Sequence, residues 1–106
     1  MKKIYIAGKV SGEPLAECTM KFGMAQKKLE QSGFTAVNPL EVVGDWKTDW
    51  LPAMKLCIKA LMDCDGILLL PDYLDSRGAT IERNLAKELN IPVSYRIEEF
   101  TKLWNN

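Results

Sequence analysis

The segment "SRGATIERNLAKEL", residues 76–89, sets a serine, a glycine and a glutamate at the opening of an amphipathic run. Ser76 is placed to be an N-cap, its hydroxyl accepting from a free backbone N–H of the first turn. Gly78 removes the side chain that would keep a ligand from that turn. Glu82 follows one turn in, on the helical face shared with Ala79 and Ala86, so methyl groups rather than bulk flank its carboxylate. Such a carboxylate either complements the macrodipole of an early turn or acts on something bound beside it. The chain has no histidine, which removes Ser-His and Cys-His nucleophile pairs and the commonest metal ligand. Acid-base chemistry therefore falls to carboxylates, tyrosines or lysines.

The remaining composition excludes several classes of partner. Cysteines at 18, 57 and 64 are an odd number without a CxxC spacing, so neither a disulfide framework nor a zinc site is expected, and no cofactor is implied. The 14 basic and 14 acidic residues cancel, whereas a nucleic-acid polymer would call for a clustered basic excess. No apolar stretch approaches the roughly 18 residues of a membrane span, and the start "MKKIYIAG" is too short in apolar residues for a signal peptide. The expected location is cytoplasmic.

Elements that would position these residues alternate along the chain. With 106 residues, a single domain over 1–106 is expected. "KKIYIAG", "FTAVNP", "GILLLP" and "IPVSY" read as strands, the third apolar enough to be buried on both faces. Between and after them, 14–32, 50–63, 77–90 and 97–104 read as helices, while 40–49 reads as irregular. In the third helix, Ile81, Leu85 and Leu89 are expected to face inward. This order predicts an α/β three-layer sandwich around a mostly parallel sheet of four or five strands, with right-handed crossovers. Ligands in such sheets bind beyond the carboxyl ends of the strands. The loops at 8–14, 38–49 and 71–78 are thus the ones to watch.

Taken together, "IYIAGKVSG", "NPLEV", "CDGILLLP" and "SRGATIERNLAKELNIPV" resemble the nucleoside 2-deoxyribosyltransferase-like superfamily, in its small, mostly uncharacterised bacterial and phage branch. The resemblance runs from Lys2 to about Tyr95, and implies a flavodoxin- or Rossmann-like fold. It implies that Glu82 is the nucleophile attacking the anomeric carbon of a deoxyribosyl group, which suits a carboxylate facing an oxocarbenium-like centre. Tyr5 would orient that carboxylate. Gly8, Ser11 and Gly12 would lie near the sugar or its 5′ end, and Asp72, Ser76 and Gly78 would complete the substrate-binding set. Relatives commonly carry an acid-base aspartate eight residues before the aspartate that opens the third strand; counting back from Asp65 gives Cys57. Asp45, Asp72 and Asp75 are loop carboxylates able to replace it.

Trp46, Trp50 and Tyr73 are the aromatics nearest these loops, suited to stack on a base, with loop or core packing as their other use. Lys9 and Arg77 are cations near the glycine turns, able to meet a phosphate there, with solvation, the usual state of single loop cations, as the other reading. Arg83 and Lys87 read as a solvated helix face. The resemblance implies a small-molecule nucleoside or nucleotide as ligand and a homodimer or larger homo-oligomer. The function expected is cleavage or exchange of the N-glycosidic bond of a deoxynucleoside or its monophosphate; the alternative is a catalytically silent nucleotide-binding or regulatory domain.

Overall fold

Strand β1 (Lys3–Ala7) buries four consecutive residues, Ile4 to Ala7, which is what β-branched and aromatic side chains do in a strand covered on both faces. The computed structural model to which it belongs describes residues 1–104, so the last two residues of the domain expected over 1–106 lie outside the described residues. After β1 come α1 (Leu15–Gln31), β2 (Thr35–Val37), α2 (Pro39–Val43), α3 (Trp50–Met62) and β3 (Gly66–Leu69). A short 3₁₀ turn at Tyr73–Asp75 leads into α4 (Arg77–Glu88), β4 (Val93–Ser94) and α5 (Ile97–Trp104).

All pairings are parallel and the strand order is β2-β1-β3-β4. Tyr5 pairs with Val37 on one side and Ile67 on the other. The chain leaves β1 toward β2 and returns to β1's other edge as β3, so the topological switch point falls at the carboxyl ends of β1 and β3. Alternation along the strands divides the core in two. Ile4, Ile6 and Leu68 pack with Phe22 and Leu29 of α1 and with Phe100 of α5. Tyr5, Ala7, Ile67 and Leu69 pack with Cys57 and Leu61 of α3 and with Ala79 and Ala86 of α4. The α/β class and the parallel four-stranded sheet are as the sequence predicts.

Three local readings change. Segment 40–49 is not wholly irregular: Asn38 caps α2, its side-chain oxygen accepting from Leu40 N at 2.9 Å, and Pro39 sits at the first helical position, where its missing N–H costs nothing. The fourth strand shrinks to two paired residues. In α4 the inward face is Gly78, Ala79, Glu82 and Ala86, not Ile81, Leu85 and Leu89. Ile81 and Leu89 are 36% and 51% exposed, whereas Ala79 and Ala86 pack on the sheet, Gly78 abuts Met54 and Glu82 reaches Tyr5.

Candidate active site

A cavity of about 830 Å³ opens beyond the carboxyl end of β1, on the side of the sheet covered by α3 and α4. At its closed end the Tyr5 hydroxyl donates to Glu82 Oε2 at 2.7 Å. β1 supplies the tyrosine on the α3/α4 side of the pleat, and α4 aims Glu82 at it from one turn inside the helix. Glu82 is only 4% exposed. Burial pushes its carboxyl up to about 7, against the lowering effect of the Tyr5 hydrogen bond. Burial, and then the neighbouring Glu82 charge, raise the Tyr5 phenol, which therefore remains a proton donor. The phenol holds Oε2, while Oε1 has no such bond among the described residues.

Cys57 stands beside this pair on the cavity wall. Burial pushes its thiol up to about 11. Trp50, Ala53, Met54 and Cys57, at spacings of three and four, make one face of α3 that lines the cavity from its mouth to Tyr5. At the start of α4, Ser76 Oγ accepts from Ala79 N at 3.0 Å, the expected N-cap. Gly78 lies against Met54: a Cβ built on it would meet Sδ at 2.8 Å.

The loop after β1 forms the facing wall. Gly8, Ser11 and Gly12 all line the cavity, and Gly12 has φ +80°, a left-handed conformation that favours glycine. Asp72 does not line it. Its carboxylate accepts from Lys9 N at 3.1 Å and pairs with Lys21 Nζ at 2.6 Å, while Lys21 also donates to Lys9 O at 2.7 Å. Burial alone would raise the Asp72 carboxyl, but the Lys21 and Lys9 hydrogen bonds hold it below its ordinary range. Asp72 thus fixes the loop from behind.

The other candidate residues separate in the same way once placed. Trp46, Trp50 and Asp45 line the main cavity. A smaller adjoining recess is lined by Lys9, Ser11, Trp50, Asp75, Ser76, Arg77 and Gly78, with the Arg77 guanidinium 4.4 Å above the Trp50 ring. Tyr73 is on neither wall; its hydroxyl faces that of Tyr95 at 3.3 Å. Asp65 accepts from Lys3 N at 2.8 Å, a structural bond at the sheet's other end. Wall residues that the sequence does not single out include Glu13, Thr19 and Met54. Glu13 falls in the 8–14 loop and Met54 in the α3 stripe; Thr19 carries no signal, being one polar residue on a mixed helix. Among the described residues no three His, Cys, Asp or Glu side chains group to hold a metal ion, and no helix is long and apolar enough to cross a membrane.

Residues 2–95 match the family described as a domain of unknown function, DUF4406. No curated protein is matched by the sequence. Among solved structures, a 2-deoxyribosyltransferase from the psychrotolerant bacterium Bacillus psychrosaccharolyticus is similar, with a TM-score of 0.61 and 22% identity over 87% of this chain and 72% of that one. That likeness establishes a shared fold.

Proposed function

The chain belongs to the DUF4406 family, and from its site we propose that it cleaves or exchanges the N-glycosidic bond of a deoxynucleoside or deoxynucleoside monophosphate. One observation carries this reading: a buried carboxylate, held by a tyrosine through one oxygen, at the closed end of a cavity able to hold a nucleoside. Glu82 Oε1 attacks the anomeric carbon as the bond to the base breaks, and the bonding electrons leave with the base, which takes a proton from solvent. The resulting glycosyl ester is hydrolysed or intercepted by a second base. Tyr5 keeps the attacking carboxylate in one orientation. The α3 face from Trp50 to Cys57 is the apolar wall for the base, and Gly8, Ser11 and Gly12 face the sugar. Shared fold with a 2-deoxyribosyltransferase supports the reading. Incubation with a panel of deoxynucleosides and their monophosphates should release free base, and Glu82→Gln should abolish that release.

Cys57 favours a second reading, a nucleotide-binding domain without turnover. A thiol pushed up to about 11 is a poor proton donor to a leaving base at neutral pH. If the site is an enzyme lacking its acid, Cys57→Asp should raise the rate of base release, general acid help contributing about 10²- to 10⁴-fold. If neither protein releases base while a nucleotide still binds in the Glu82 pocket, measured by titration calorimetry, the binding reading replaces the enzyme.

A further inference from the structure

The main cavity carries charge of one sign. Glu13, Asp45 and Glu82 line it, whereas among the described residues no lysine or arginine does, and the chain has no histidine. Lys21 stands 3.4 Å from Glu13 but is shared with Asp72 at 2.6 Å, so one cation answers two carboxylates. Lys9 and Arg77 line the smaller recess instead. Glu82 is 4% exposed, and its Oε1 accepts no hydrogen bond among the described residues. Trp46 lines the same cavity, and no cation among the described residues stacks on its ring. The wall assigned to the base offers no acid: Trp50, Ala53 and Met54 have none, and burial pushes the Cys57 thiol up to about 11. The Tyr5 proton is held on Glu82 Oε2, while Glu13 and Asp45 are engaged as acceptors, from Lys21 Nζ and Lys47 N. A neutral base leaving this wall must draw its proton from solvent; a base that already carries a positive charge needs none.

We propose that the substrate is a nucleoside or nucleotide whose base carries a fixed positive charge, as a pyridinium or an N7-alkylated purine does. This rests on the glycosidic reading and narrows its substrate. Glu82 Oε1 bonds to C1′ as the C1′–N bond breaks; the bonding pair enters the ring, cancels its charge, and the base departs neutral without taking up a proton. Water then attacks C1′ of the glycosyl ester, giving the free sugar and restoring the Glu82 carboxylate, with one proton passing to solvent. Before reaction the cavity carboxylates and the Trp46 face complement the cationic ring. In the oxocarbenium-like transition state the charge passes to the anomeric carbon, toward Glu82. A bound cation also favours the ionised carboxylate that attack requires, against the burial that raises it.

A pair of substrates sharing one sugar and differing in charge tests this: 7-methyl-2′-deoxyguanosine against 2′-deoxyguanosine, with uncatalysed blanks subtracted. kcat/KM should be at least about 100-fold higher for the methylated nucleoside, the low end of what a missing general acid withholds from the neutral one. Cys57→Asp should raise release from 2′-deoxyguanosine more than from its methylated partner and so narrow the ratio. Asp45→Asn, which keeps an acceptor for Lys47 N, should raise KM for the cation about two- to fivefold, more than it lowers kcat. Nicotinamide 2′-deoxyriboside in a parallel assay separates the two sources of charge, the faster cationic substrate identifying the ring. Equal kcat/KM for the guanosine pair would overturn the proposal and leave the glycosidic reading standing. Base release from none of the three, by protein that circular dichroism shows to be folded, would overturn both.

Discussion

One sheet serves two unlike neighbours. On the α1/α5 side the space is filled with rings: Phe34 meets Phe100 edge-on at 6.3 Å, and Phe100 stacks on Trp104 at 5.5 Å. Phe22 is wholly buried beside them. On the α3/α4 side the covering residues are small or soft, Ala79, Ala86, Cys57 and Met54, and they stop short of the strand ends. Bulk on one face secures the sheet by area removed from water. Thinness on the other leaves the cavity and allows α4 to bring a carboxylate against Tyr5. Dense packing and the cavity are thus assigned to opposite faces of the same four strands.

Substitutions can break that division, beginning with the largest effect. Phe22→Ala should lower unfolding free energy by about 3–5 kcal/mol, the usual cost of an emptied aromatic site. Base release per folded molecule should stay unchanged; a urea titration paired with the activity assay checks both.

Glu82→Gln should act in the opposite sense. The Glu82 carboxyl moves from its ordinary 4.5 to about 7 on folding. Between those pH values the folded chain keeps a proton that the unfolded chain releases, so wild-type stability falls as pH rises through this window and stays lower above it. The amide escapes this loss and still accepts from Tyr5. It should match wild type below pH 4.5 and exceed it by about 3 kcal/mol above pH 7, measured by urea midpoints at pH 4 and pH 8.

A smaller effect is expected in the rate itself. Under the proposed mechanism Glu82 must be ionised to attack, so kcat/KM should fall about tenfold for each pH unit below about 7, with no matching fall in stability. An acid limb near 4 instead would separate Glu82 from the chemistry. The least change should follow Lys21→Met, which unties Lys9 O and Asp72 from behind the cavity wall. About 1–3 kcal/mol of stability should be lost, and KM should rise more than kcat falls.

The sequence is legible where a strong local signal and a tertiary demand coincide. β1 and β3 are apolar runs buried on both faces, Gly33 follows the close of α1 with φ +89°, and Ser76 caps α4. Tyr5 and Glu82 lie 77 residues apart, and their meeting is readable only because the motifs containing them resemble a known superfamily. Periodicity misleads at Ile81 and Leu89, since it measures where large apolar residues recur, whereas close helix-to-sheet packing selects for the smallest. Asp72 lies on the expected loop, yet the chain cannot announce that Lys21, 51 residues away, will claim its carboxylate. The two-residue β4 depends on its pairing with β3, which no local window contains.

The contact between Gly78 and Met54 sets how this cavity can vary through descent. A methyl group at 78 would stand 2.8 Å from the Met54 sulfur, the movable part of a flexible side chain. The thioether would yield, and the free space beside it is the cavity, so one codon change from glycine to alanine would narrow the ligand space without rebuilding the backbone. A shorter residue at 54 would then reopen it. Positions 78 and 54 are therefore sterically coupled, so that an exchange of size between them would change the space for a ligand while leaving Tyr5 and Glu82 in place.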